Sequence, residues 1–160
     1  MAMMLTILGF VSEPGAYAVE AVEWAAAGAA LRVVRRRVFV EEQNVPEELE
    51  WDDEDAIRRH AVAIARGIPV GTGRLLRDGH IGRMAVLKEW RCRGVGSALM
   101  RCLLRLAGDA GHGVVRLHAQ THAVGFYEKH GFVAEGDEFM EAGIPHVVMT
   151  RSMGRVMGDG

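Results

Sequence analysis

The segment 81–97, Ile-Gly-Arg-Met-Ala-Val-Leu-Lys-Glu-Trp-Arg-Cys-Arg-Gly-Val-Gly-Ser, constrains this chain more than any other. It reads as a strand that runs through a short loop directly into a helix. Residues 80–87 form an apolar run of strand length, and residues 94–108 carry Val95, Leu99, Leu103, Leu104 and Leu106 at helical spacing. Between them lie Arg91, Arg93, Gly94 and Gly96. The first amides of a helix have no intrahelical acceptor, and the aligned peptide dipoles leave partial positive charge there. Such an end receives phosphate oxygens if the backbone can come close. Gly94 and Gly96 remove Cβ atoms from that approach, while Arg91 and Arg93 add charge and donors. The plain alternative is a strand–helix turn that needs glycine for its geometry alone. The order strand, arginines, glycines, helix favours the phosphate cradle. No Gly-Lys-Ser/Thr follows the glycines, which excludes a P-loop nucleotide site. No GxGxxG opens a first βα unit of a parallel array, which argues against a dinucleotide site of the Rossmann kind.

The rest of the pattern supplies a setting for this loop. Residues 17–23 alternate as a first strand, and residues 26–42 read as one helix with Leu31, Val34 and Val38 on one face. Asn44-Val-Pro46 ends that helix, because the residue before proline avoids the α region. Residues 60–66, 70–76 and 80–87 form a meander, turned at 67–69 and 77–79. Residues 114–119 read as a strand and 122–130 as a short helix. Residues 132–139 and 147–151 finish as two strands joined through 142–145. This order predicts an α/β (α+β) fold with a central mixed, mostly antiparallel sheet and helices on both faces. The crossover from 80–87 to 114–119 is expected to join two parallel strands. No repeat or Pro/Gly/Ser linker divides the chain, so one domain over 1–160 is expected, with its core in 16–152 and loose ends at 1–15 and 154–160.

Composition removes several classes. The net charge is -2, and the cluster Arg32, Arg35, Arg36 and Arg37 is followed by an acidic run, which is a poor footprint for nucleic acid. Cys92 and Cys102 make neither a disulfide framework nor a zinc site, and the histidines lack metal-ligand spacing, so no metal is expected. Residues 1–10 lack the basic n-region of a signal peptide. The most apolar stretch, 18–30, is broken by Glu20 and Glu23 and is too short for a bilayer. The expectation is a cytoplasmic protein with no membrane partner.

Several motifs, in order, carry a resemblance to a known family. Arg91-x-x-Gly94-x-Gly96 is similar to the cofactor motif of the GNAT superfamily of N-acetyltransferases. Gly82-Arg-Met-Ala-Val86 resembles that family's splayed strand. Ala119-Gln-Thr-His-Ala-Val-Gly-Phe-Tyr-Glu-Lys-His-Gly-Phe132 resembles its second signature. Val38-Phe-Val-Glu-Glu-Gln43 and Ile144-Pro-His146 resemble the ElaA-like subgroup. The resemblance implies the GNAT-like acyl-CoA N-acyltransferase fold, with acetyl-CoA as cofactor and a primary amine of a small molecule or peptide as acceptor. It implies that main-chain groups of Met84 and Val86, with Ala85 between them, hold the pantetheine arm as an added strand. It further implies that the amides of Arg91, Cys92, Arg93, Gly94, Val95, Gly96 and Ser97 hold the pyrophosphate. Gln120 stands where many relatives have Asn, beside the pantetheine. Small domains of this type often pair as homodimers. A catalytically silent acyl-CoA-binding sensor is the alternative; Tyr127 and the intact loop favour the enzyme.

Direct acetyl transfer to an amine requires two proton movements. A lysine-like amine, with a pKa of about 10.4, costs about 4.6 kcal/mol to find neutral near pH 7. The leaving thiolate gains from a nearby donor. By the resemblance, Tyr127 faces the cofactor sulfur and is the candidate donor; packing beside Phe126 is the alternative reading. Glu42, at the end of the first helix, and His146 and His118, by their ordinary pKa, are candidates for the base. The acidic residues of segment 41–55 read either as solvated surface or as an attractor for a cationic amine. Trp51, Trp90 and Cys92 read as packing residues and an ordinary thiol.

Overall fold

The expected strands form two antiparallel sheets in the computed structural model, which describes residues 16–52 and 54–154. The segments 1–15 and 155–160, most of the expected loose ends, lie outside the described residues, as does Asp53. The first sheet holds β1 (Ala18–Val22), β2 (Arg59–Ala65), β3 (Ile68–Leu75) and β4 (Ile81–Val86) in sequence order. The second holds β5 (Val114–Gln120), β6 (Val133–Glu141) and β7 (Ile144–Ser152) in the order β5-β7-β6. Two hairpins turn on residue pairs with positive φ, Arg66-Gly67 and Ala142-Gly143, as short twisted hairpins demand. The first turn thus falls earlier than the 67–69 read from sequence. Pro69 lies within β3, next to the bulge at Ala63/Ile64 where a missing amide is tolerated. β6 is the outer strand of its sheet, and its register slips between Glu135 and Phe139, where Gly136 takes φ 81°.

Among the described residues the two sheets are joined by one backbone bridge. His80 and Arg116 form a parallel bridge, and the Arg116 amide donates to the Gly79 carbonyl at 3.1 Å. Beyond that point β4 and β5 are not paired, so the parallel strands expected from the crossover are present but parted.

Among the described residues the α-helices are α1 (Trp24–Arg35), α2 (Glu47–Glu50), α3 (Val95–Asp109) and α4 (Val124–Glu128). The helix expected over 26–42 changes at Arg36 into a π-helical stretch, Arg36–Glu42. Such widened turns mark functional places in many helices. Here the stretch delivers Gln43 to β5, as described below. Helix α3 lies against β3 because two glycines make room for it. A Cβ at Gly71 would stand 2.8 Å from Leu99 Cδ1, and one at Gly73 only 2.6 Å from Leu103 Cδ1. Leu99, Met100 and Leu103 are fully buried in this contact. Along β3 the side chains alternate, so Thr72 and Arg74 face the other way, toward α1. Helices therefore cover both faces of the first sheet. No helix among the described residues is long and apolar enough to cross a membrane.

On the α1 side, part of the acidic run is folded inward. Arg35 donates to the Glu50 carboxylate at 2.7 Å and to Asp55 at 2.8 Å. Arg74 donates to Asp52 at 2.8 Å and to Asp55 at 3.0 Å. Arg35, Glu50, Asp55 and Arg74 are all at most 5% exposed. These carboxylates are neither solvated surface nor free to attract a substrate, which corrects both readings of the sequence for them. Trp51 is covered by the guanidinium groups of Arg32, Arg35 and Arg36, at 4.8, 5.1 and 5.6 Å from its ring. Burial pushes the Glu50 carboxyl above its usual range despite the charges of Arg83 and Arg35. For Asp52 the balance is reversed: burial works upward, but the hydrogen bond from Arg74 and the charges of Arg74 and Arg83 outweigh it.

Removing one member of such a set strands the others without a partner. Arg35→Met leaves two buried carboxylates short of their donor. It is expected to lower unfolding free energy by about 3–5 kcal/mol, measured by urea denaturation.

Candidate functional site

β4 turns main-chain groups toward the opening between β4 and β5. The Leu87 amide donates to the Val70 carbonyl of β3 at 2.9 Å. By strand alternation, Ala85 also faces β3, while the amides and carbonyls of Met84 and Val86 face the opening. The Val86 carbonyl accepts from Arg91 Nε at 2.9 Å, as its outward direction requires.

This phase depends on a bulge. Thr72 pairs with Ala85 and Arg74 with Gly82, so Gly73 stands opposite both Arg83 and Met84. Arg83 takes φ 53°, the left-handed region that a non-glycine residue seldom enters.

The end of β4 leads through the 3-10 turn Lys88–Trp90 to Gly94 and α3. Gly94 takes φ 86°, and a Cβ there would also lie 3.1 Å from the Tyr17 hydroxyl. Glycine is needed at this position for the chain to turn. At Gly96 the situation differs. A Cβ would be 3.4 Å from the Phe126 ring, an ordinary contact, and φ is not positive. Packing within the protein does not require glycine there. The first α3 amide that meets a backbone acceptor is that of Ala98, bonded to the Gly94 carbonyl at 3.0 Å. The amides of Val95, Gly96 and Ser97 precede it, and among the described residues no side chain caps this end.

Both arginines of the loop are engaged with the protein. Arg91 grips the Glu42 carboxylate with two hydrogen bonds of 2.7 Å. Arg93 lies over the Trp90 ring at 4.7 Å, and Trp90 meets Tyr17 edge to face. Cys92 between them is exposed, with φ 63°. The hydrogen bonds from Arg91 hold Glu42 below its ordinary pKa, and Glu42 raises Arg91 in return. A second ion pair, Arg37 to Glu89 at 3.2 Å, ties the π-helical stretch to the same loop. A cavity of about 280 Å³ lies beside it, lined by Arg37, Val38, Glu41, Glu42 and residues 87–89.

Across the opening stand the residues of β5 and β7. Gln120 and Gln43 exchange two amide hydrogen bonds, of 3.2 and 3.0 Å, which span from the π-helical stretch to β5. Gln120 pairs with His146 in the β5–β7 register. His146 is buried, and its Nδ1 lies 2.7 Å from the Ile144 carbonyl. A carbonyl can only accept, so Nδ1 is the donor in this bond and Nε2 is the ring nitrogen it leaves unengaged. His118 is bound to the Glu141 carboxylate at 2.8 Å and packs against Phe139, which also stacks on His146.

Helix α4 follows β5 and carries Tyr127, whose ring packs between Phe126 and Phe132. Its hydroxyl has no hydrogen-bond partner among the described residues. Burial pushes its pKa up to about 12, so it is a proton carrier at neutral pH. Ser97 Oγ is held by His130 Nε2 at 2.9 Å, and burial, with Arg101 and Arg151, lowers that histidine's pKa.

The structure thus brings Met84, Val86, Gly94–Ser97 and Gln120 around one parted pair of strands, with Tyr127 on the helix that follows. Glu42 is bound to the loop on one flank, and His146 lies behind Gln120 on the other. Sequence reading missed Gln43 as a partner of Gln120, although it ends the upstream motif quoted above. It also missed Arg83, since nothing in the sequence marks a left-handed arginine inside a strand.

Two antiparallel sheets thus part beyond one parallel bridge, with the first amides of α3 at the mouth of the gap. Comparison with known proteins gives the class, an N-acyltransferase. A family model described as an acetyltransferase (GNAT) domain matches residues 17–153. The chain is 45% identical over 122 residues to YjcF of Bacillus subtilis, described as an uncharacterized N-acetyltransferase, covering 74% of this chain and 87% of that one. Among solved structures it is similar to an acyl-CoA N-acyltransferase from Pseudomonas aeruginosa, with TM-score 0.77, 31% identity and coverage of 86% and 100%. It is similar also to Escherichia coli ElaA, with TM-score 0.75, 28% identity and coverage of 84% and 99%. The chain belongs to the GNAT family of N-acetyltransferases.

The two glycines separate in a stability test. Gly94→Ala is expected to cost about 1–2 kcal/mol through its left-handed backbone. Gly96→Ala is expected to be neutral or to gain up to about 1 kcal/mol in helix propensity. Thermal or urea denaturation of the two variants measures the difference.

Proposed function

We propose that this enzyme transfers an acetyl group directly from acetyl-CoA to a primary amine of a small molecule or peptide. The observation that carries the reading is the alignment of two sets of outward-facing main-chain groups, of which the Val86 carbonyl also accepts from Arg91 Nε. Met84 and Val86 present theirs along the opening, and Val95, Gly96 and Ser97 present theirs at its mouth. A pantetheine arm with its amides, followed by a pyrophosphate, has the complementary chemistry in the same order. Gly96 supports the fit, since its missing Cβ serves no packing need within the protein. Acetyl-CoA supplies an acetyl thioester, which is activated toward an amine.

The chain's own residues then divide the work. Val95, Gly96 and Ser97 hold the diphosphate through their amides, with Ser97 steadied by His130. Arg91 and Glu42 act as a pair that fixes the loop. This role replaces the base role weighed for Glu42, because a carboxylate held below its ordinary pKa is a weaker base. Arg93 is placed through Trp90 rather than free beside the phosphates. Tyr127, protonated and without a partner, gives its proton to the leaving sulfur. His146 receives the amine's proton at Nε2, the ring nitrogen not engaged with the Ile144 carbonyl. Gln120 and Gln43 close the acceptor side of the opening.

Tyr127→Phe is expected to slow turnover about tenfold or more, the usual scale of a lost general acid, while acetyl-CoA binding by calorimetry stays near wild type. Unchanged turnover would remove the assignment. Gly96→Ala is expected to weaken acetyl-CoA about tenfold, equal to about 1.4 kcal/mol, without loss of fold. Wild-type affinity in that variant would count against the diphosphate site.

A further inference from the structure

We infer that Arg83 is a positioning residue for the acyl donor, and that Glu50 and Asp52 are its anchor. This rests on the reading that acetyl-CoA lies along β4. Arg83 sits at the bulge with φ 53°. That conformation is unfavourable for a side-chain-bearing residue and persists only where the surroundings enforce it. The enforcement is visible on two sides. Thr72 Oγ1 donates to the Arg83 carbonyl at 2.9 Å. The Arg83 guanidinium donates from one nitrogen to the Glu50 carbonyl at 3.1 Å and to the Asp52 carboxylate at 3.2 Å. Its Nε also stands 3.2 Å from the Glu50 carboxylate, an ionic contact without hydrogen-bond alignment.

The anchor is itself immobilised. Glu50 is gripped by Arg35 of α1, and Asp52 by Arg74 of β3. Asp55 joins the two arginines, at 2.8 and 3.0 Å. Force on Arg83 is therefore carried into α1 and β3, the most buried part of the charged set.

The bulge decides which main-chain groups face the opening. Before it, the His80 carbonyl accepts from the Leu76 amide, so even-numbered positions of β4 point to β3. After it, the Leu87 amide bonds Val70, so odd-numbered positions point to β3. The extra residue reverses the alternation. Without it Met84 and Val86 would turn their amides and carbonyls toward β3, and the opening would lose its ladder. Arg83 acts through that backbone and touches no reacting atom.

The test uses acetyl-CoA binding by calorimetry, which needs no knowledge of the acceptor. Arg83→Gly keeps the left-handed backbone free of strain but removes the latch. Arg83→Met removes the latch and keeps the strain. Asp52→Asn weakens one contact at a partly exposed position and guards against a folding failure. Val62→Ala, buried in β2 away from the opening, serves as a control for lost stability. We expect both Arg83 variants to bind acetyl-CoA about tenfold more weakly, Asp52→Asn to fall between them and wild type, and Val62→Ala to bind normally whatever its Tm. Amide exchange at Met84 and Val86 should quicken in the Arg83 variants before global unfolding. Wild-type affinity in Arg83→Gly and Asp52→Asn would overturn the inference and leave the proposed function standing. Affinity that tracks Tm in all variants, the control included, would also overturn it. Failure of the wild type to bind acetyl-CoA would remove both.

Discussion

The site depends on the bridge between His80 and Arg116, the one pairing between the two sheets among the described residues. Two parallel strands set side by side would normally zip along their length, because each unpaired amide and carbonyl needs a partner. Here the pairing stops after one step, and the strands part. What remains is a wedge with two main-chain edges, closed at one end by the bridge and open at the other toward α3. Such a wedge is an unfinished sheet. Water can satisfy its groups, but an extended chain of amides can satisfy them in order. Under the proposed function, recognition of the acyl donor rests on the backbone, and side chains shape the two mouths.

A structure with a missing ladder must be braced from elsewhere. Two braces are evident, on opposite faces. Behind the first sheet, the ion cluster of Arg35, Arg74, Glu50, Asp52 and Asp55 binds α1, β3 and the segment after α2 into one unit. A cluster of this kind is weak evidence for stability, since apolar residues of the same shape often do as well. Its directional bonds fix positions that greasy contacts would leave free to slide. On the α3 side, the brace is packing, with Leu99 and Leu103 seated in the space that Gly71 and Gly73 leave. Between the braces, the amide pair Gln43–Gln120 ties the flank of the first sheet to β5 across the gap.

Much of this architecture was legible in the sequence. Alternation and turn residues located every strand to within a few positions, and the glycine loop marked the start of α3. What escaped was what depends on contacts far apart in the chain. The acidic run 47–55 looks like surface by composition, and only the fold brings Arg35 and Arg74 to Glu50 and Asp55. The π-helical stretch has no sequence mark, because β-branched residues such as Val38 and Val40 also suit an α-helix end. The spacing of Arg91 and Arg93 predicted charge, not that Glu42 and Trp90 would already occupy them. Gly94 and Gly96 looked alike as letters, yet φ separates a residue demanded by the turn from one the fold could replace.

The outer strand of the second sheet bears on how copies of this molecule meet. β6 pairs only with β7 among the described residues, so its far edge offers amides and carbonyls to any passing chain. Val133 and Met140 lie exposed on it and would welcome such a guest. Glu135, Asp137, Glu138 and Glu141 lie on the same strand, and the kink at Gly136 breaks its line. Joining two of these edges would crowd carboxylates together along a bent seam. At neutral pH that repulsion works against runaway strand-to-strand growth and fibrous aggregation, a safeguard written into the side chains of one strand.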